Sequence, residues 1–262
     1  MFNFNPIGLT SDSIALFFGT FTALFISALI GNKIIGIKKS KHDDGEGVED
    51  FRVILGATLS LLGLIIGFTL SMSIAGFNTR QAAEENEAFV IRTGYMRADL
   101  LPKESSALMK FTIKKYLQKR IDSYDLLSSE NSNFNLEVIK LQRKMWDIVV
   151  NETKNNTTPI TSLVVSNINE IVLAQQKTLA GWRHQIPYAA WFLLISTAII
   201  CNILVGYNAR KVKGKAGLLL ILPTMISLSF LMISEIDAPG RGVIKVSPTN
   251  LQSLITILNS EL

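Results

Sequence analysis

Cysteine is nearly missing from this chain. Cys201 is the only one in 262 residues, so no disulfide can form within one copy. It lies in an apolar stretch and reads as a small packing residue. Two histidines and one cysteine are too few for a zinc site built from His and Cys ligands. Charge is also scarce: 18% of residues are Asp, Glu, Lys or Arg, where soluble domains carry about 25%. The deficit is concentrated in four gaps. Asp12 to Lys33 encloses 20 uncharged residues, Arg52 to Arg80 encloses 27, His184 to Arg210 encloses 25, and Lys215 to Glu235 encloses 19. At ~1.5 Å per residue, each gap crosses a hydrocarbon core of about 30 Å as a helix. This excludes a soluble cytoplasmic enzyme and predicts an all-α integral membrane protein with four transmembrane helices. No nucleophile elbow, P-loop or dinucleotide fingerprint occurs, so neither enzyme activity nor a cofactor is expected.

The charges that are present carry topological information. The net charge of +5 comes from basic residues clustered beside spans, which speaks for orientation rather than for nucleic acid. Lys33, Lys38, Lys39, Lys41 and Arg52 flank the first short loop; Arg210, Lys211, Lys213 and Lys215 form the second. Both loops are expected on the cytoplasmic side of a bacterial inner membrane. The central segment and both termini are then expected outside. The tail before the first span has no Lys or Arg, so that span is expected to be retained rather than cleaved as a secretory signal.

The spans are placed at 13–37, 53–77, 185–207 and 216–235, with a soluble helical domain at 78–184 and an amphipathic helix at 247–262. Within the central domain, Leu101-Pro102 ends the helix that continues the second span. A helix follows with Ile113, Tyr116, Leu117, Ile121 and Tyr124 on one face. Residues 128–135 read as a loop. A helix over 136–150 has a weaker stripe of Ile139, Trp146, Val149 and Val150. Thr158 as N-cap and Pro159 at the first position open a further helix. Its apolar face is Ile160, Leu163, Val164, Ile168 and Ile171. Ser247 is expected to cap the last helix.

Small residues recur in two spans. The first carries Ala15, Gly19, Ala23, Ser27 and Gly31 at intervals of four; the second carries Gly56, Ser60, Gly63, Gly67 and Ser71. Such rows let helices approach closely, either within one chain or between copies, or they line a narrow pore. Ser71, Ser73 and Asn78 face a hydrated pathway or bond back to their own helix. Arg80, Arg92 and Arg97 follow on the same helix and suit the mouth of an anion pathway. Glu84, Glu85 and Glu87 read as a solvated helix face. Glu235 and Asp237 mark the end of the fourth span, with Arg241 as a local partner, and Pro223 is expected to interrupt that span. Trp182, Tyr188 and Trp191 fit an interfacial aromatic belt.

Several stretches together resemble a bacterial family of membrane proteins labelled bestrophin-like. They are Gly56 through Ser71, then Arg97-Ala98-Asp99-Leu100-Leu101-Pro102, and after the fourth span Asp237-Ala238-Pro239, Gly242, Ile244 and Val246-Ser247-Pro248. The family pattern tends to have Arg where this chain has Ala238. Bestrophins proper are pentameric anion channels with four spans per subunit. The resemblance therefore implies a homo-oligomer in the lipid bilayer that passes a small anion beside its second span. Bestrophins keep the segment between the second and third spans in the cytoplasm, opposite to the charge rule here. The other reading of the residues is a non-conducting, membrane-anchored interaction or sensor protein that works through its central domain.

Overall fold

The computed structural model describes residues 11–33, 45–125, 132–155, 158–209, 218–238 and 244–260. Among them eight α-helices follow in order: α1 (Ser11–Lys33), α2 (Gly45–Arg97), α3 (Lys103–Asp125), α4 (Ser132–Asn155), α5 (Pro159–Arg183), α6 (Tyr188–Ala209), α7 (Leu218–Asp237) and α8 (Thr249–Ser260). No strand occurs among the described residues. Among the described residues four stretches are long and apolar enough to cross a membrane, one each in α1, α2 and α7 and one that includes α6. Packing divides the chain into two units. The first holds α1, α2 as far as Ala75, α6 and α7; the second holds α2 from Gly76, α3, α4, α5 and α8.

In the first unit α1 packs on α6 and α7. Leu24, Leu62, Leu194, Ala198, Ile226, Phe230 and Ile233 form its core. The backbones of α1 and α6 touch. A Cβ on Gly31 would stand 2.0 Å from the carbonyl oxygen of Ile203, and one on Gly206 would stand 1.9 Å from that of Ala28. Only glycine allows this approach, which sets Cα–H groups against carbonyl oxygens and gains dispersion along the crossing. Cys201 is fully buried, and its thiol donates to the carbonyl of Thr58 at 3.3 Å. α7 continues through Pro223 as one helix, so the expected interruption is not seen. Just beyond the last apolar residues of α7, Asp237 accepts the N–H of Ile186 on both oxygens, at 3.1 and 3.2 Å. The hydroxyl of Ser13 hydrogen-bonds to the buried carboxylate of Glu235.

The second unit is a helical domain around one core. α3 buries Ile113, Tyr116, Leu117, Ile121 and Tyr124, the five residues its periodicity picks out. α4 starts at Ser132, inside the stretch expected as loop. It buries Val138, Gln142, Met145, Ile148 and Val149 while Ile139 and Trp146 are exposed, which corrects the expected stripe. The reason is that α4 is apolar on two sides and its buried side includes a Gln, so counting apolar residues selects the wrong phase. α5 opens at Thr158 as expected: its hydroxyl accepts the N–H of Thr161 at 3.2 Å, and its own N–H donates to the Thr161 hydroxyl at 3.0 Å. Of the expected face of α5, Val164, Ile168 and Ile171 are buried, while Ile160 and Leu163 are exposed. Between α2 and α3 a 3-10 turn at Ala98–Leu100 leads to Leu101, which is extended (φ −86°, ψ 160°) as Pro102 requires of the residue before it. α8 lays Leu251, Leu254 and Leu258 into the core and packs on α3.

Candidate functional site

In the first unit α2 has three distinct faces. Leu55, Leu62, Thr69 and Ser73 are buried, at intervals of seven, seven and four that keep them on one side of a 3.6-residue helix. Ser73 donates its hydroxyl to the carbonyl of Ile233 at 3.0 Å. A second face is exposed and large: Val53, Leu61, Leu64, Phe68 and Met72. The third face is exposed and small: Gly56, Ser60, Gly63, Gly67 and Ser71. A Cβ built on Gly56, Gly63 or Gly67 would meet nothing within 4 Å. Among the described residues, none of these three glycines packs against another part of the chain.

The small row of α1 is divided instead. Gly19 and Ala23 are exposed, whereas Ser27 and Gly31 are buried. Four residues advance a helix by about 400°, so a strict four-residue row winds off its starting face by ~40° per step. Only its last members reach α6.

In the second unit α2 keeps its buried phase. Arg80, Glu84, Glu87, Ile91 and Ala98 are buried, while Asn78, Gln81, Glu85 and Arg92 are exposed. Arg80 donates to the carbonyl of His184 at 3.3 Å, and half-buried Arg97 donates to that of Leu163 at 3.3 Å. Of the six residues expected along an ion pathway, Ser71, Asn78 and Arg92 therefore lie on exposed surface, and Ser73 and Arg80 on the buried side. The split follows from spacing: Ser71 and Asn78 are seven apart, as are Ser73 and Arg80, and each pair shares a face.

Glu84 and Glu87 are not part of a solvated face, contrary to expectation. Glu87 is fully buried and takes a bidentate ion pair from Arg120, at 2.5 and 2.9 Å, plus the hydroxyl of Thr178 at 2.8 Å. Arg120 lies 5.9 Å from the ring of Tyr124 and 5.8 Å from that of Trp182, and these two rings meet edge to face at 5.1 Å. Burial works against the charge of Arg120, but the carboxylate of Glu87 outweighs it and holds the guanidinium above its ordinary pKa. Burial, and then the nearby Glu87, raises the hydroxyl of Tyr116 above the usual phenol range. The signal for these buried carboxylates was the phase of Leu62 and Thr69, which continues through residues 80, 84, 87 and 91. Trp182 thus belongs to the core of this unit, while Tyr188 is almost fully exposed and Trp191 packs edge to face on Phe230.

The motif residues mark helix ends. Asp99 pairs with Lys110 at 2.5 Å, and the carbonyl of Pro102 accepts the N–H of Ser106 at 2.8 Å. Ser247 is exposed and Pro248 buried before α8, whose first turn is capped by Glu84 rather than by the expected Ser247. Pro239, Arg241 and Gly242 lie outside the described residues. Among the described residues no group of three or more His, Cys, Asp or Glu is placed to hold a metal ion.

The family model of the bestrophin-like domain matches residues 41–251. Three crystal structures of variants of a bacterial bestrophin homologue from Klebsiella pneumoniae share this fold. One matches with TM-score 0.61 at 14% identity, covering 95% of this chain and 97% of that one. A second gives 0.62 at 12%, covering 96% and 97%, and a third 0.58 at 14%, again 96% and 97%. A comparison with curated proteins gives no match.

Proposed function

The chain belongs to the bestrophin-like family, and on that premise we propose that it assembles with copies of itself and conducts a small anion along a pathway beside α2. The observation that carries this reading is the open row of Gly56, Ser60, Gly63, Gly67 and Ser71. The apolar stretch of α2 is only 17% buried within the chain, against 22% to 44% for the other three. A helix side bathed in lipid is large and apolar, and α2 already has such a side in Leu61, Leu64 and Phe68. The small row beside it suits close approach of another copy or a narrow, hydrated path. Ser71 and Asn78 supply dipoles along it, and Arg92 biases its mouth toward anions. Ser73, Arg80 and Arg97 act on the same helix through their bonds to Ile233, His184 and Leu163. The test is chloride efflux from liposomes holding the purified protein, beside empty liposomes and a Gly67→Trp variant. Efflux that needs the protein and changes with the substitution supports the pathway; no efflux from folded, oligomeric protein removes it.

One observation favours the second reading, an anchored interaction protein. The helical domain exposes six large apolar side chains, Phe89, Met96, Phe111, Leu136, Ile139 and Trp146, which a partner would cover. On either reading the basic short loops face the cytoplasm and the helical domain lies outside a bacterial inner membrane. A Lys144→Cys variant should then react with an impermeant thiol reagent in intact cells, and labelling only after lysis would reverse the orientation.

A further inference from the structure

We propose that α8 is a strap fastened to α2 and α3 by one charge at each of its ends, that it releases as a unit, and that its release alters conduction. The last step rests on the channel reading; the first two do not. At 12 residues, α8 is too short to hold a helix by itself in water, so docking is what keeps it formed.

Its N-terminal end is held by Glu84, which is only 1% exposed. One carboxylate oxygen of Glu84 accepts the N–H groups of Asn250 and Leu251, both at 3.0 Å, and the other accepts the side-chain amide of Asn250 at 2.7 Å. These backbone donors belong to the first turn of α8, which has no partner for them within the helix. At the other end, the ammonium of Lys114 donates to the carbonyl of Leu258 at 2.6 Å. An anion at the N-terminus and a cation at the C-terminus are the signs that the helix dipole favours. Between the two fasteners only Leu251, Leu254 and Leu258 are buried, one side of a short helix.

The fastening point on α2 lies where it matters. Glu84 stands six residues after Asn78 and eight before Arg92, on the buried side of the helix whose exposed side carries both. A docked α8 therefore braces that stretch of α2 alongside the Glu87–Arg120 pair, and a released one leaves the buried Glu84 without three of its donors.

Hydrogen–deuterium exchange and chloride efflux on the full-length protein test this, comparing wild type, Glu84→Gln and Lys114→Met. In Glu84→Gln the amides of residues 249–258 should exchange roughly tenfold to a hundredfold faster, as loss of hydrogen bonds to a charged acceptor implies. Lys114→Met, on a half-buried side chain, should speed the same amides less. Tyr116 and Leu117 of α3 should keep their protection in both, and efflux should change in step with α8. Unchanged exchange in α8, or α3 speeding up alongside it, overturns the strap. Faster exchange in α8 with unchanged efflux overturns its control of conduction. Should wild type show no efflux, the channel reading falls and exchange alone still decides the strap.

Discussion

Gly31 in α1 and Gly67 in α2 stand at the same spacing from other small residues, yet their surroundings differ completely. A methyl group on Gly31 would collide with the backbone of α6, whereas one on Gly67 would meet empty space. The same contrast separates two arginines of the helical domain. Arg120 is locked to a buried carboxylate, while Arg92 is exposed. In each pair one residue has its partner inside the chain, and the other presents its chemistry outward. Residue type is shared within each pair, so it is the position of each residue relative to the core that separates the two roles.

The contrast can be broken at its strongest point first. Arg120→Met leaves Glu87 buried and unpaired, and a loss of about 3–5 kcal/mol in stability is expected, read from a thermal or denaturant melt. If Arg120 and Glu87 are both replaced by apolar residues of similar volume, most of that loss should return. Gly31→Leu comes next. Overpacking against a backbone that has no room should cost about 1–3 kcal/mol or more, seen as a lower melting midpoint in detergent. Gly67→Leu should change stability by less than about 0.5 kcal/mol while altering efflux or assembly. A melting loss as large as that of Gly31→Leu would erase the distinction between the two rows. Arg92→Glu should leave the melt unchanged and shift ion preference away from anions in reversal-potential measurements.

The smallest effect is expected at the exposed pair of Lys119 and Glu137, 3.0 Å apart. Its hydrogen bond holds the Glu137 carboxyl below the usual range and raises Lys119. The Glu137 contribution is full above the ordinary carboxylate pKa and fades as pH falls through the lowered value. That of Lys119 is present at neutral pH and fades as pH rises through its raised value. Across about pH 6 to 8 both are constant, and Lys119→Ala should melt with wild type because exposed pairs contribute little.

Where local chemistry decides structure, the sequence could be read directly. The α3 stripe, the Thr158 cap with Pro159, and the break before Pro102 all depend on residues a few positions apart. Tertiary partners decided the rest. Gln142 in the core, and Glu84 and Glu87 in a helical stretch rich in charge, look like surface until the phase of Leu62 and Thr69 is carried forward along α2. The cap on α8 comes from a residue 166 positions earlier, so no local pattern could announce it. Likewise, the small rows of α1 and α2 look alike until the carbonyls of Ile203 and Ala28 are seen against Gly31 and Gly206.

The rings around Arg120 also make the protein its own optical probe. Its three tryptophans occupy three unlike settings. Trp182 meets Tyr124 edge to face beside a guanidinium, Trp191 sits edge-on to Phe230 in the other unit, and Trp146 is exposed. Collisional quenchers should reach Trp146 first. Variants that keep one tryptophan at a time would then report separately, in fluorescence, on the helical domain's core, its surface and the apolar bundle, without any added label.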